Sequence, residues 1–237
     1  MVVASLTTIR EQIITCERCH RLRQYCARIA RERKAAHRDE VYWGKPVPGF
    51  GDARARLLVL GLAPAAHGAN RTGRPFTGDG SGDFLMRAMH RHGFASIPTA
   101  RHAHDGLELR DAYLTAAVRC APPDNKPTRE ELIACQTHLE AEVAALPDVR
   151  VVVTLGRIAF DAWWRVLAVR GRVVRPRPAF HHGARHAVDG WPTVLASYHP
   201  SRQNTNTGKL TPSMLARVFG EAKRTISDEP CAMSNAQ

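Results

Sequence analysis

The chain has 237 residues, which is enough to bury a substantial core within one domain. Its 34 Lys and Arg residues against 22 Asp and Glu residues give a formal net charge of +12 at pH 7, which favours a polyanionic partner, with nucleic acid ahead of a membrane surface. An arginine-rich proteome explains this charge equally well, so charge alone decides nothing. We find no apolar run of the roughly 18 residues that span a membrane and no signal-peptide pattern, so we expect a cytoplasmic protein.

Four short apolar runs bounded by turn residues predict buried strands. They cover residues 56–60, 113–118, 149–155 and 193–198. Helical patterns alternate with these strands along the chain. They cover residues 83–92, 128–146, 157–169 and 211–224. The third strand leads directly into the helix at 157, and Gly93 ends the first of these helices.

The alternation of strands with helices predicts a mostly parallel, doubly wound α/β sheet. We expect one domain over residues 1–226 and a loose polar tail over residues 227–237. The clearest helix start is Thr128-x-x-Glu131, a capping box after Pro127. Each strand runs into a polar or Gly/Pro-rich loop, and the carboxyl ends of parallel strands lie at one edge of a sheet. The four loops therefore predict a single site.

The cysteines suggest a metal or cluster site. Cys16 and Cys19 form a C-x-x-C, in which two thiolates can bind one metal or cluster from a single turn, while Cys120 and Cys135 are separated by 14 residues. The lack of a second C-x-x-C favours an iron-sulfur cluster over zinc, and four thiolates suit both. Cys135 also satisfies the apolar face of its helix. We assign Cys26 to packing or a free thiol and Cys231 to the tail.

The loop after the first strand (GLAPAAHGANRTGRPFTGDGSGDFL) contains six glycines, which permit close approach of the backbone to a ligand. It also concentrates polar and aromatic side chains: His67, Asn70, Arg71, Arg74, Phe76 and Asp79. Asp79 precedes a predicted helix start, whose dipole should keep the carboxylate ionised. An ionised carboxylate held by a loop can orient or deprotonate water, although an Asp at this position also serves a turn or a helix start.

Three segments, GLAPAAHGANRTGRPFTGD, YLTAAVRCAPPDNKPT and ASYHPSRQNTNTG, resemble the family 5 (type b) uracil-DNA glycosylases. The resemblance includes the C-x-x-C and PVPGFGD at 46–52, and it covers roughly residues 10–225. It implies a three-layer α/β/α sandwich around a four-stranded, mostly parallel sheet. It also implies a [4Fe-4S] cluster bound by four cysteines: Cys16, Cys19, Cys120 and Cys135.

The resemblance also implies roles for individual residues. Phe76 would stack on the flipped uracil, and His199 would donate a hydrogen bond to uracil O2 as negative charge builds on the leaving base. Other branches of the superfamily place Asp, Asn or Glu near positions 65 and 66 to handle the attacking water. This chain has Ala65 and Ala66 there, so the family 5 pattern assigns the water to Asp79.

The remaining expected contacts fall into two sets. Those to the base are Gly61, Ala63, Pro64, Ala65, His67 and Asn125, where Asn125 has turn formation as a competing role. Those to DNA are Arg71, Arg74, Lys126, Ser201, Arg202, Gln203 and Asn204, together with Lys209. We expect the segment after His199 to enter the duplex as the nucleotide swings out, with Arg202 or Gln203 filling the vacated space.

These expectations describe a monomeric, monofunctional glycosylase that leaves an abasic site in DNA. No lysine in the site loops stands out as a desolvated nucleophile, so we expect no strand cleavage. The resemblance extends the substrates from uracil to hypoxanthine, xanthine and ethenocytosine, since the two alanines leave a roomier pocket. The alternative is a non-enzymatic nucleic-acid-binding or redox-sensing iron-sulfur protein. That alternative explains the charge and the cysteines but not the convergence of the loops.

Overall fold

A computed structural model describes residues 4–228 of the chain. The helices are α1 (Leu6–Ile14), α2 (His20–Glu32), α3 (Ala69–Thr72), α4 (Gly80–Arg91), α5 (Arg129–Ala144), α6 (Arg157–Val169), α7 (Arg202–Asn206) and α8 (Pro212–Asp228). The strands are β1 (Phe50–Gly51), β2 (Leu57–Gly61), β3 (Ala112–Ala116), β4 (Val151–Leu155), β5 (Arg185–Val188) and β6 (Trp191–Ser197). The expected tail from 227 begins inside α8, and its residues 229–237, with Cys231, lie outside the described residues. Within residues 4–228, no helix is long and apolar enough to cross a membrane.

The strands form one mixed sheet in the order β1-β3-β2-β4-β6-β5. The four central strands are parallel, and they are the four predicted from the apolar runs. The connection from β2 leads towards β3, whereas β4 lies on the other side of β2. The strand order therefore reverses between β2 and β4, and the carboxyl ends of these strands border the crevice where such sheets bind ligands.

Helices cover both faces of the sheet, which confirms the predicted α/β/α sandwich. Leu57 and Val59 of β2 pack with α4 and α8, while Leu58 and Leu60 of the same strand pack with α5 and α6. Successive side chains of a strand point to opposite faces, so a strand that is buried on both faces is apolar throughout. This explains why β2 is detectable in the sequence as a continuous apolar run.

The expected number of strands was wrong, because the sheet has six strands rather than four. The two additional strands, β1 and β5, pair antiparallel at the two edges. β1 is only two residues long, and three of the four β5 side chains are exposed or half-buried. Short edge strands with one solvated face carry no continuous apolar run, so the sequence pattern contains no signal for them.

The helix starts follow local capping chemistry. Thr128 and Glu131 form the predicted capping box at the start of α5, where the Glu131 amide donates to the Thr128 hydroxyl and the Thr128 amide donates to the Glu131 carboxylate. Asp79 caps α4, which begins three residues earlier than the pattern predicted. The helix predicted over 157–169 has those bounds. The helices α1, α2, α3 and α7 were not predicted.

A buried ion pair joins β3 to the helical layer behind it. Arg119 follows β3 and donates from Nη2 to Oε2 of Glu142 in α5 at 2.7 Å, with both side chains at most 2% exposed. Glu142 also accepts from the Tyr113 hydroxyl at 3.3 Å and from the Gly49 amide at 3.0 Å. A buried charge is tolerated only when its partner and hydrogen bonds are in place.

We expect Glu142→Gln to lower the free energy of unfolding by about 3 kcal/mol, because it leaves the Arg119 guanidinium buried without a counter-charge. Chemical denaturation followed by circular dichroism measures this loss. Glu130→Gln removes the same charge from an exposed position of α5 and should change stability little. Equal stability of the two variants would contradict a structural role for the pair.

Candidate active site

The candidate active site lies at the carboxyl edge of the four parallel strands. The loops that follow β2, β3, β4 and β6 all start at this edge, as the sequence predicted. The β2 loop contains α3 and ends at the start of α4, and the β6 loop contains α7. The site therefore combines segments that are up to about 140 residues apart in the sequence but neighbours in the sheet.

Phe76 and His199 form an aromatic pair at this edge. Their ring centroids are 6.1 Å apart, and the ring planes differ by 30°. A Cβ atom at Gly61 would lie 2.6 Å from Cζ of Phe76, so only glycine lets the ring approach the end of β2 this closely. Phe76 adopts a left-handed backbone conformation with φ of 49°. Such a conformation is unfavourable for a bulky residue and is typical of sites where the surroundings impose it.

His199 is held by the loops on either side of it. A Cβ atom at Gly156, directly after β4, would come within 3.3 Å of the His199 Cβ. The side-chain amide of Asn204 donates to the His199 carbonyl at 2.8 Å. Burial lowers the pKa of His199 to about 4. The imidazole is therefore neutral near pH 7, with one nitrogen carrying a proton that it can donate in a hydrogen bond.

Asp79 uses one carboxylate oxygen to cap α4 and keeps the other for the site. Oδ1 accepts from the amides of Ser81 at 2.9 Å and Gly82 at 3.0 Å. Oδ2 lies against Gly68, where a Cβ atom would be 2.2 Å away. Burial raises the pKa of Asp79, whereas the two amides and Arg202 lower it. The net shift is opposite to the one expected from the helix start alone, because desolvation outweighs these contributions.

Arg71 and Arg74 are buried inside the β2 loop and are not available to bind phosphate. Arg71 donates to the Gly78 carbonyl at 2.8 Å and pairs with Glu40, while Arg74 forms a two-pronged ion pair with Asp105 at 2.7 and 2.8 Å. The Arg74 guanidinium holds the pKa of Asp105 at about 2 against the effect of burial. We correct the expected role of both arginines, because their donors hold the loop together.

The other expected base contacts line the same loop. The Ala65 carbonyl accepts from the amides of Gly68 and Asn70 at 3.2 and 3.0 Å, which forms the turn that leads into α3. The His67 imidazole contacts the Tyr42 hydroxyl at 3.1 Å, and burial lowers its pKa. Pro64 is buried, and Ala63 packs against the apolar cluster that contains Cys120 and Cys135.

The other expected DNA contacts are solvent-accessible at the same edge. Ser201 caps α7 and is half-buried, whereas Lys126, Arg202 and Gln203 are exposed, as is Asn125, which was expected to contact the base. Asn125 has a left-handed backbone, with φ of 57°. Its backbone amide donates to the Pro122 carbonyl and closes a turn. Asn204 turns inward to the His199 carbonyl, and the Lys209 ammonium lies 4.8 Å from the centre of the Tyr198 ring.

The four expected cluster ligands line one pocket: Cys16, Cys19, Cys120 and Cys135. Cys16 and Cys19 lie between α1 and α2, Cys120 follows β3, and Cys135 lies in α5, where its sulfur accepts from the Arg119 amide at 3.2 Å. Among residues 4–228, no three His, Cys, Asp or Glu side chains are grouped to hold one metal ion.

Sequence reasoning missed two residues that shape the site. Tyr42 positions His67 from a segment without any predicted element, and Gly156 packs against His199 from the short β4 loop. Tyr42 carries no signal in the sequence, because its contact forms only in the folded chain. Gly156 could have been recognised from its position directly after a buried strand at the predicted edge.

Comparison with known proteins identifies the family of this chain. The family model of the uracil DNA glycosylase superfamily matches residues 48–223. The chain therefore belongs to the uracil DNA glycosylase superfamily and is a DNA glycosylase, which excludes the non-enzymatic alternative.

Two similar proteins share most of their length with this chain. It is 52% identical over 214 residues to the type-5 uracil-DNA glycosylase of Thermus thermophilus, covering 90% of this chain and 95% of that protein. It is 45% identical over 221 residues to the type-5 uracil-DNA glycosylase of Mycobacterium leprae, covering 93% and 95%. The type-4 uracil-DNA glycosylase of Saccharolobus solfataricus is more distant, with 24% identity over 192 residues and 80% of each chain.

We expect His199 to stay neutral as the pH falls from about 8 to about 5, because burial disfavours the charged imidazole. Nuclear magnetic resonance of isotope-labelled histidine side chains measures this, and His199→Gln identifies the resonance. The imidazole of His199 becomes protonated below about pH 6.5 in the unfolded chain but only near pH 4 in the folded protein. The free energy of unfolding therefore falls as the pH drops from about 6.5 to about 4. A titration midpoint above about pH 6 would contradict the assignment.

Proposed function

We propose that this protein hydrolyses the N-glycosidic bond of uracil in DNA and leaves an abasic site. The observation that carries this proposal is the pairing of Phe76 with a buried, neutral His199 at the crevice beside β2 and β4. An aromatic ring and a neutral hydrogen-bond donor are the two groups that an excised base requires. The similar type-5 uracil-DNA glycosylases of Thermus thermophilus and Mycobacterium leprae support the choice of uracil.

Phe76 would provide the stacking surface for a base that has left the duplex. Enzymes that act on a base flip it into a pocket, and stacking on an aromatic side chain contributes about 1–3 kcal/mol per base. The packing of the ring on Gly61 fixes this surface at the end of β2 before the substrate arrives. The ring therefore needs no rearrangement when the base binds.

His199 would stabilise the base as it departs. Cleavage of the bond leaves electrons on the uracil ring and an oxocarbenium-like sugar, so a donor aimed at the developing anion lowers the barrier. A neutral imidazole keeps one N–H group, so His199 can donate this hydrogen bond without a change in its own protonation. The hydrogen bond from Asn204 to the His199 carbonyl fixes the backbone that carries this donor.

Asp79 would orient the attacking water. Its Oδ1 is occupied by two amides of α4, which leaves Oδ2 to accept from a water molecule beside Gly68. The negative charge also favours the oxocarbenium-like sugar. Burial raises the pKa of Asp79, and the two amides and Arg202 partly oppose that shift by favouring the charged carboxylate.

We further propose a substrate range beyond uracil and no strand cleavage. Ala65 and Ala66 have small side chains in the loop that lines the pocket, which leaves room for hypoxanthine, xanthine and ethenocytosine. The residues that supply the chemistry are a histidine and a carboxylate, and neither forms the Schiff base that lyase activity needs. The protein would act as a monomer on nucleoid DNA in the cytoplasm.

The exposed residues of the edge would hold the DNA around the lesion. Arg202 and Gln203 open α7 directly after the site, where a long side chain can fill the space of the flipped nucleotide. Ser201 and Lys126 would contact phosphates, and Asn125 would bind the edge of the base. Such phosphate contacts make DNA affinity fall with salt.

The four cysteines fit a [4Fe-4S] cluster. They line one pocket, and the Arg119 amide donates to the Cys135 sulfur, a type of contact that tunes cluster ligands. Cys26 lies in the same apolar cluster but donates to the Ala121 carbonyl at 3.7 Å. When bound, the cluster would crosslink the connection between α1 and α2 to β3 and α5, which is a structural role.

We expect Asp79→Asn to reduce the single-turnover rate of uracil excision by about 10²–10⁴. The amide keeps an oxygen to cap α4 but cannot accept a proton from water. The rate is measured by alkaline cleavage of the abasic sites formed in a uracil-containing duplex. The affinity for DNA should stay nearly unchanged. Asp83→Asn is the matched control, since Asp83 lies one turn later and binds the Ala100 amide. Turnover of Asp79→Asn at the rate of this control would reject the role of Asp79.

We expect Cys120→Ser to lose iron and the absorbance near roughly 400 nm that thiolate-bound iron clusters show. Cys26→Ser, a buried thiol of the same cluster of side chains, should keep both. Analysis of iron, acid-labile sulfide and zinc in the purified variants measures the difference. Stoichiometric zinc with no absorbance in this region would overturn the cofactor assignment.

A further inference from the structure

A second cavity, which we call the arginine groove, lies between α5, α6 and the segment that follows α6. Its volume is about 520 Å³. Five arginines and one aspartate are the charged residues in its lining: Arg129, Arg165, Arg172, Arg175, Arg177 and Asp161. None of these residues belongs to the active site described above, and the sequence pattern did not single out this groove.

The groove has a large excess of positive charge. Asp161 is its only carboxylate among the described lining residues, and it pairs with Arg177 at 2.8 Å and with Arg157 outside the lining at 3.1 Å. Within residues 4–228, Arg172 and Arg175 form no ion pair with a carboxylate. Both are exposed on the segment after α6. A bound anion would therefore meet charges that the fold has not neutralised.

Two further side chains mark the groove as a built surface. Arg165 is half-buried, and burial lowers its pKa, while Asp161 raises it and the neighbouring Arg177 lowers it further. Trp164 lines the wall, and its buried indole nitrogen has no hydrogen-bond partner within residues 4–228. Guanidinium groups that face one cavity suit phosphates, which they bind through two parallel hydrogen bonds.

The position of the groove relates it to the active site. Gly156 packs against His199, and α6 starts at the next residue. A helix rises 1.5 Å per residue, so Asp161 and Ala168 lie roughly 8 and 18 Å along α6 from Gly156. Because α6 follows β4 and packs back against it, the groove extends from the neighbourhood of the carboxyl edge along the α5 and α6 face.

We propose that the arginine groove is a second DNA-binding surface, which holds backbone phosphates of the duplex that flanks the flipped base. This inference rests on the proposed function, because it takes the flipped base at His199 as its origin. The groove reads no base sequence, since phosphate contacts fix position and affinity only. It extends the contact with DNA from the carboxyl edge onto the α5 and α6 face.

The test is a double-mutant cycle, in which arginine substitutions in the protein are combined with neutral replacements of phosphates in the DNA. Arg172→Ser with Arg175→Ser removes two exposed groove charges, and Arg91→Ser with Arg110→Ser removes two exposed charges at the end of α4 and just before β3, away from α5 and α6. Each protein is titrated with a duplex of about 24 base pairs that contains one hydrolysis-resistant 2′-fluorouridine. In four further duplexes, neutral methylphosphonates replace the phosphates of one flank of the lesion, either 5′ or 3′ of it and on either strand.

We expect the groove variant to lower the slope of log affinity against log salt by about 2, because each phosphate contact contributes about 0.9. In at least one duplex, the methylphosphonates should lower the slope of the parent protein and cause no further loss in the groove variant. In the control variant, the same methylphosphonates should still lower the slope. Equal slopes for the groove variant and the parent, or fully additive losses in every duplex, would overturn the proposal.

The excision assay separates this proposal from the proposed function. Binding to the resistant duplex does not depend on turnover, so a protein that binds through the groove but excises no uracil would disprove the proposed function alone. A protein that excises uracil while the groove variant binds like the parent would disprove the groove alone.

Discussion

The buried pair between Arg119 and Glu142 is the interaction on which the arrangement of the other parts depends. Arg119 follows β3, its amide donates to the Cys135 sulfur, and its carbonyl accepts from the Val47 amide at 2.7 Å. Glu142 receives the Gly49 amide and the Tyr113 hydroxyl. One pair of charges therefore connects the sheet, α5, the segment before β1 and the cysteine pocket. Since neither charge can be buried alone, these elements must form together.

The same principle operates on the other side of the site, where charges hold an irregular loop. Arg71 and Arg74 are buried and bind carbonyls and carboxylates of their own surroundings. Their contacts fix the loop that places Phe76 on Gly61 and Asp79 at the start of α4. A rigid loop is what a glycosylase needs, because stabilising groups contribute most when they do not reorganise during the reaction.

The fold was largely predictable, because buried parallel strands and capped helices leave local patterns. The four central strands and the bounds of α6 came from apolar runs and periodicity. The edge strands were not predictable, since β1 is too short and β5 has a solvated face. The short helices α3 and α7 lie inside loops, and side-chain hydrogen bonds to nearby carbonyls, rather than an apolar stripe, stabilise them.

The candidate site was predictable in its location but less so in the state of its residues. Parallel topology places the loops at one edge, so Phe76, Asp79 and His199 could be expected near one another. The pKa of Asp79 could not be predicted, because it depends on how desolvation competes with hydrogen bonds from α4. The roles of Arg71 and Arg74 were unpredictable for a related reason. A sequence shows that an arginine is present but not whether a carboxylate already neutralises it.

The net charge of +12 includes cations that are paired with carboxylates and cations that are not, and the two kinds differ in their effect on DNA. Arg71, Arg74 and Arg119 are each paired with a carboxylate inside the protein, so they contribute little to the field that a polyanion experiences. The positive charge that can attract DNA lies instead on exposed residues, such as Arg172 and Arg175, whose guanidinium groups have no internal partner in the described residues. Because a phosphate releases counterions only where it meets such an unpaired cation, the geometry of the exposed arginines, and not the total, determines where the duplex lies.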